Sequence, residues 1–395
     1  MLSKQTITAV KSTIPVLANA GVAITEHFYQ RLFSLNPELK HVFNMSNQAG
    51  GAQPFALFNA LAAYATYIDD LDQLNTMVSR IANKHVSLDI QAEHYPIVGE
   101  HLLATLAELA PETFNEPTLK AWEEAYAYLA NAFIDVESTM YASQRVTNGG
   151  WNGKRLFKVI DKVEESEQIT SFYFIPVDQQ PIRQFKPGQY ITVNINGASD
   201  YQQKRQYSLS QFEYKNFYRI SVKRETGEYH GLISNYLHDE VKIGCQIELI
   251  APAGDFVLRD AAKHNVLISA GVGITPMFTM LQAILENKAN SAEVTFIHAC
   301  KNAGQHAFHQ HLRELETVYS QLHYHYWYET NADDAKAKSG FIDFSHPEIK
   351  LPIEDGDFYL CGPVPFMRFC KHALMDLGVK SEQIYYEVFG PHNDL

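Results

Sequence analysis

Apolar residues in the first third of the chain recur three and four apart. They do so over 21–35, 55–68, 71–85, 93–109 and 117–141, with Pro37, Pro54, Pro96, Pro111 and Pro117 as punctuation. No stretch there alternates as a strand does, so residues 1–141 are expected to form an all-α domain of successive amphipathic helices. Over 142–153 the chain turns to Ser143-Gln144, Thr147-Asn148-Gly149-Gly150 and Asn152-Gly153, the composition of a linker. From Lys154 the period becomes two. Strands are expected over 157–163, 169–177, 189–195, 205–212 and 217–223, with a short helix over 232–238, so residues 154–262 read as a small antiparallel β-barrel. The pattern changes once more over 263–395. Strands at 265–270, 293–299, 322–327, 357–360 and 384–388 alternate with helices at 276–286, 307–319 and 365–377, the signature of an α/β doubly wound parallel sheet. The fold class is therefore multidomain, three architectures in series.

Composition narrows what such a chain does. At 395 residues it is long enough for two or three separate cores, and a net charge of -13 without a basic block argues against nucleic acid or an anionic membrane as partner. Residues 1–11 are polar and periodic, unlike a targeting segment, and no run of about 18 apolar residues follows. A cytoplasmic, monomeric protein without integral membrane association is expected. Cys245, Cys300, Cys361 and Cys370 lack metal-ligand spacing and read as reduced thiols.

Candidate chemistry sits at a few motifs. Arg205-Gln206-Tyr207-Ser208 opens an alternating run, where a ring followed by a hydroxyl suits a flat heterocycle and an arginine suits phosphate; an ordinary barrel strand reads equally well. Pro187-Gly188-Gln189-Tyr190 precedes it. Gly231-Leu232-Ile233-Ser234 begins the short helix, whose first amides offer an anion site. Gly271-Val272-Gly273-Ile274-Thr275-Pro276 joins a strand to a helix, the context in which backbone approaches a pyrophosphate, and Cys361-Gly362-Pro363 ends a later strand at the same edge. Of the helical region's five histidines, His27, His41, His85, His94 and His101, the ligand candidate is His85, which closes the apolar face of Met77, Val78 and Ile81. By spacing alone it is as readily a surface histidine at a helix C-terminus.

In this order the later motifs resemble the ferredoxin-NADP reductase family, and the prefix, with Asn36-Pro37-Glu38-Leu39, resembles a globin. Together they resemble a flavohaemoglobin over essentially the whole chain. That resemblance implies haem b, FAD and NADH or NADPH as cofactors, and it makes His85 the proximal iron ligand, with Tyr95 and Glu137 hydrogen-bonded behind it. It implies Tyr29, Gln53 and Leu57 around the bound oxygen, Phe43 of Val42-Phe43-Asn44-Met45 wedging the haem, and Lys84 beside the ligand. It gives Tyr190, Arg205, Gln206, Tyr207, Ser208, Gly231 and Ser234 to FAD. Gly271, Val272, Gly273, Ile274, Thr275 and Pro276, with Cys361, Gly362 and Pro363, fall to the dinucleotide. The tail Glu387-Val388-Phe389-Gly390-Pro391 resembles the family's lid over the flavin, with Val388 where many relatives carry cysteine.

The implied activity is nitric oxide dioxygenase: hydride passes from NAD(P)H to FAD, single electrons pass to haem, and the oxy complex turns nitric oxide into nitrate, with O2 and nitric oxide as substrates. Two alternatives stand beside it. One is a general NAD(P)H-flavin reductase; the other is a haem-based oxygen or nitric oxide sensor or storage protein, against which counts the expectation that no output domain follows Leu395. For the donor, no acidic residue follows the second strand of the last domain, where Cys300-Lys301-Asn302 stands. Lys301 either meets a 2'-phosphate or is simply solvated. The resemblance points to NADH as the usual donor, with both working.

Overall fold

The structure is a computed structural model that describes residues 2–43, 52–212, 216–227, 231–287, 292–330 and 334–390, with the side chains of Ala52 and Gln53 also outside the description. Asn44 and Met45, the Gln53 side chain and Pro391 therefore lie outside the described residues. Two compact units are formed. One takes the described part of Met1–Gly153 with Asn194–Arg205 and Gly390; the other takes Lys154–Val193 and the described part of Gln206–Phe389.

In the first unit the helical spacing gives α1 (Lys4–Ser12), α2 (Ile14–Ala20), α3 (Ala23–Leu35), a 3-10 turn (Pro37–His41), α4 (Ala52–Tyr67), α5 (Asn75–Ser87), α6 (His94–Leu109) and α7 (Glu116–Val146). Local chemistry sets the ends. Ser3 accepts the Thr6 amide at 3.0 Å, Asn115 accepts the Thr118 amide at 3.3 Å with Pro117 in the first turn, and Gly21, at φ 55, breaks α2 from α3. α7 runs past Tyr141 into the stretch whose composition suggests a linker. Nothing in Ala142-Ser143-Gln144-Arg145 breaks a helix, and the buried Gln144 gives it a face to pack; the chain turns only before Gly149 and Gly150. Val10, Phe28, Leu32, Tyr64, Leu106 and Trp122 form the centre of the apolar core. Two of its polar side chains are matched: Tyr64 donates to the Ala125 carbonyl at 2.7 Å, and the Trp122 indole to Thr13 Oγ1 at 3.3 Å.

The barrel strands are β1 (Lys154–Glu164), β2 (Ile169–Pro176), β3 (Tyr190–Ile195), β4 (Gln203–Ser208), β5 (Tyr218–Lys223) and β6 (Gln246–Ala253), in the order β4-β3-β6-β1-β2-β5. β1 pairs antiparallel with both β2 and β6, and β2 with β5. A bridge between Leu209 and Ile220, with the Ser210 amide on the Arg219 carbonyl at 2.9 Å, brings the two edges together. α8 (Leu232–Asp239) lies between β5 and β6 in sequence. β6 escapes the alternation because its second half, Leu249 to Ala253, is buried residue after residue.

The second sheet contains β7 (Asn265–Ala270), β8 (Val294–Cys300), β9 (Leu322–Tyr328), β10 (Lys338–Ser339), β11 (Asp357–Cys361) and β12 (Ile384–Glu387), in the order β10-β9-β8-β7-β11-β12 with parallel pairing throughout. Its helices are α9 (Ile274–Glu286), α10 (His309–Val318) and α11 (Val364–Asp376). Apolar residues fill both faces, one core around Met277, Phe278 and Phe296 and the other around Val266, Ile268 and Phe358. The strand order reverses between β7 and β11, where a sheet of this kind opens a crevice at its carboxyl edge. In register there, Ser269 stands opposite Cys361. The glycine loop after β7 and Gly362-Pro363 after β11 therefore emerge side by side.

Candidate functional sites

On α5, His85 sits in the last turn with its Nδ1 2.8 Å from Glu137 Oε1 and 3.0 Å from the Tyr95 hydroxyl. Tyr95, from the start of α6, donates to the same Glu137 oxygen at 2.6 Å. Counting hydrogens orders this triangle. Burial, then the Glu137 hydrogen bond, push the Tyr95 phenol far above its ordinary range, so its one proton goes to the carboxylate. The Nδ1–H of His85 then points to Glu137 Oε1 with the phenol oxygen beside it. This fixes the tautomer: Nε2 keeps its lone pair and has no protein partner among the described residues. Glu137 is only 3 % exposed, and a carboxylate so buried keeps its place by being hydrogen-bonded twice. An imidazole with a carboxylate behind one nitrogen and a bare lone pair on the other is the donor that a haem iron takes, so these residues fit a proximal ligand set.

The surroundings hold that triangle still. Phe133, one turn before Glu137 on α7, has its ring centroid 5.8 Å from that of His85. Tyr126, farther back on the same helix, donates to the Tyr95 carbonyl at 2.7 Å. Its ring fits because α6 carries Gly99, where an added Cβ would come within 2.5 Å of it. Neither Phe133 nor Tyr126 is legible as part of the site in the sequence. Phe133 alone carries a signal, since it and Glu137 are four apart on one helix face. On α3, Tyr29 is buried, with the ring of Phe43 edge-on at 5.7 Å and Phe33 stacked at 5.7 Å. Leu57 on α4 is half-buried against the same core. Lys84, next to His85, donates to the Gly390 carbonyl at 3.1 Å.

Among the barrel motifs, Arg205, Gln206 and Tyr207 are half-buried and Ser208 is buried at the end of β4. The buried Tyr190 ring lies over Gly254, at φ 113, where an added Cβ would fall 2.8 Å from the ring. At α8, the Ser234 hydroxyl donates to the Gly231 carbonyl at 3.1 Å and accepts the Glu225 amide at 3.3 Å. The hydroxyl is thus spent on the loop. What the helix offers an anion is its first-turn amides, which have no side-chain cap. Gly231 leaves room for this closure, because a Cβ there would sit 2.4 Å from Ser234 Oγ.

At the crevice of the second sheet, Gly273 packs on β11: an added Cβ would lie 2.2 Å from the Cys361 carbonyl oxygen. Gly362 is less confined: an added Cβ there would lie 3.0 Å from the Phe366 ring and 3.1 Å from the Ala270 amide nitrogen. Gly271, by contrast, has open space around it and needs glycine for its φ of 52. Thr275 donates to the Val272 carbonyl at 3.0 Å and closes the loop. Ile274, Thr275, Pro276 and Cys361 are buried, so their contribution at this edge is through backbone. Burial pushes the Cys361 thiol well above its ordinary range, which keeps it neutral. In the tail, Glu387 ends β12, Val388 is buried in the core, and Phe389 is 48 % exposed.

Comparison with known proteins assigns each part of the chain to a family. The globin family profile matches residues 26–133, that of the oxidoreductase FAD-binding domain residues 156–258, and that of the oxidoreductase NAD-binding domain residues 267–372. A flavohemoprotein of Vibrio cholerae is 48 % identical over 398 residues, 100 % of both chains. The crystal structure of the flavohemoglobin from Malassezia yamatoensis, with FAD and haem bound, superposes with a TM-score of 0.87 at 27 % identity over 98 % of this chain and 100 % of that one. The FAD/NAD-binding domain of a Vibrio cholerae nitric oxide dioxygenase does so with a TM-score of 0.56 at 42 % identity, covering 60 % of this chain and 99 % of that one. Fold and sites together define an oxidoreductase in which a globin precedes FAD- and NAD-binding domains. The chain belongs to the flavohaemoprotein family, and its cofactors are haem, FAD and a nicotinamide dinucleotide. Among the described residues no single helix is long and apolar enough to cross a membrane.

Proposed function

We propose that the protein is a nitric oxide dioxygenase that uses NAD(P)H, dioxygen and nitric oxide. The observation that carries this reading is the Glu137–His85–Tyr95 triangle, because a carboxylate 2.8 Å behind the imidazole gives His85 imidazolate character. Such a ligand donates electron density and favours activation of oxygen over its storage. When bound, FAD divides a hydride into single electrons and haem supplies the iron at which they are used.

In this reading His85 holds the iron through Nε2, while Tyr95 and Glu137 orient it. Tyr29 and Gln53 give polar contacts to the oxygen ligand, Leu57 gives an apolar one, and Phe43 wedges the haem. Arg205, Gln206, Tyr207 and Ser208 hold the flavin with Tyr190, the first-turn amides after Gly231 take its pyrophosphate, and Phe389 covers its ring. Gly271 to Pro276 and Cys361 to Pro363 seat the dinucleotide at the carboxyl edge of the sheet. Lys84 and Glu387 carry opposite charges that tune transfer between flavin and haem. Support comes from the family, from the triangle, and from a structural neighbour that is itself described as a nitric oxide dioxygenase. The test is steady-state consumption of nitric oxide by the aerobic holoprotein with NADH. Recurring turnover with nitrate as product is expected; a single stoichiometric reaction that NADH does not renew would overturn the proposal.

A further inference from the structure

The chain after β8 carries no acidic residue from Cys300 to Gln305, yet the fold brings one to it. Glu167, in the turn between β1 and β2, donates its amide to the Gly304 carbonyl at 2.9 Å. Its carboxylate lies against the Gly304 Cα, since a Cβ built there would fall 2.2 Å from Oε1 and 3.1 Å from Oε2. Glycine at 304 is thus what admits the acid. Glu167 is exposed, and its carboxylate has no hydrogen bond or ion pair to protein among the described residues.

Both sides of this contact are rigid. In the barrel turn, Ser166 Oγ accepts the Ile169 amide at 3.2 Å, and the Arg224 amide meets the Gln168 carbonyl at 2.7 Å. The loop after β8 is held at several points. The Lys301 carbonyl accepts the Thr330 amide at 2.9 Å and its hydroxyl at 3.1 Å, and Asn302 Oδ1 accepts the Gln305 amide at 3.2 Å. His306 is hydrogen-bonded through both ring nitrogens, to Tyr328 at 2.9 Å and Tyr324 at 2.8 Å. Phe308 adopts a left-handed backbone, φ 57, and stacks on Phe278 of α9 at 4.5 Å. A non-glycine residue kept in that conformation belongs to a segment whose shape its surroundings dictate, as ligand-gripping loops are.

In a doubly wound sheet the adenosine ribose lies at the end of the strand next to the glycine loop, here β8, and a carboxylate there takes the ribose hydroxyls of NAD while a cation takes the phosphate of NADP. We propose that Glu167 sets the choice of dinucleotide: it accepts hydrogen bonds from the ribose hydroxyls of NADH and repels the 2'-phosphate of NADPH. The proposal rests on the reading of the last domain as the dinucleotide site.

The test is calorimetry on the FAD- and haem-loaded protein with 5'-AMP and with adenosine 2',5'-bisphosphate, beside flavin reduction by NADH and NADPH. Glu167→Gln should move the affinity ratio about tenfold toward the bisphosphate and shift the KM ratio of the two donors the same way. Glu167→Asp should stay near the parent. Gly304→Ala, which displaces the carboxylate, should move in the same direction as Glu167→Gln. Equal changes for both nucleotides, or none, would overturn the assignment. Because the nucleotides report the subsite without hydride transfer, binding that discriminates while neither donor reduces the flavin would count against the reductase reading and not against Glu167.

Discussion

Glu137 Oε1 is the single oxygen on which both Tyr95, at 2.6 Å, and His85, at 2.8 Å, converge. One carboxylate oxygen therefore orients both the imidazole and the phenol. Glu137→Gln keeps the shape and removes the charge, so the holoprotein should show a higher haem reduction potential and a weaker iron–histidine stretch. Turnover should fall by about 10- to 100-fold. Tyr95→Phe should move the same observables less, because Glu137 stays in place. An unchanged stretch in Glu137→Gln would mean that the carboxylate does not act on the ligand.

His85 supplies the one lone pair that this triangle leaves pointing away. His85→Ala should abolish ordinary haem retention, read from the absorbance spectrum after purification, while NADH-dependent reduction of an artificial acceptor persists. A normal histidine-ligated spectrum in the variant would contradict the assignment.

Gly99 and Tyr126 interlock two helices behind the site. Gly99→Ala drives a methyl group into the Tyr126 ring and should destabilise the globin unit by about 1–3 kcal/mol in denaturant titration. A cost near zero would mean that the ring yields freely, in which case its hydrogen bond to the Tyr95 carbonyl should be dispensable too.

Gly273 stands against the Cys361 carbonyl, so Gly273→Ala must spread the two loops of the crevice. The dinucleotide KM should rise by about tenfold or more with FAD content unchanged. Loss of FAD with an unaltered KM would place the glycine loop elsewhere than at the dinucleotide.

His298, on β8, is wholly buried and hydrogen-bonded through Nδ1 to Ser269 at 2.8 Å, with the His306 ring 4.5 Å away and His309 beyond it. Burial, with a smaller effect from His309, pushes its pKa down from 6.5 to about 3. The folded imidazole stays neutral where the unfolded one is charged. Its contribution to stability is therefore complete above the unfolded value and is lost progressively as pH falls from 6.5 toward 3. His298→Gln, which cannot titrate, should flatten melting temperature against pH across that window. An identical slope in variant and parent would show that another group governs it.

What the sequence made legible follows from how far apart the interacting residues lie. The period of apolar positions places β7 at 265–270 without error, because a strand buried on both faces between turn residues has a plain local signature. β6 is buried in succession over Leu249 to Ala253 in the same way, but Pro252 inside that run reads against a strand. His85, Tyr95 and Glu137 come from three helices, and only a family resemblance joins them; no spacing along the chain encodes the triangle. Glu167 lies outside even that resemblance. β8 and its loop carry Lys301 and no acid from Cys300 to Gln305, whereas the Glu167 carboxylate arrives from a barrel turn against a glycine whose role only three dimensions reveal.

The central claim, that this chain is a dioxygenase toward nitric oxide, is tested most directly by the origin of the oxygen atoms in the product. With 18O2, excess NADH and repeated additions of nitric oxide, nitrate carrying two labelled oxygens is expected at every addition, with at least one NADH consumed for each two nitrate ions. Nitrite bearing a solvent oxygen, or labelled nitrate only in the first addition, would contradict it.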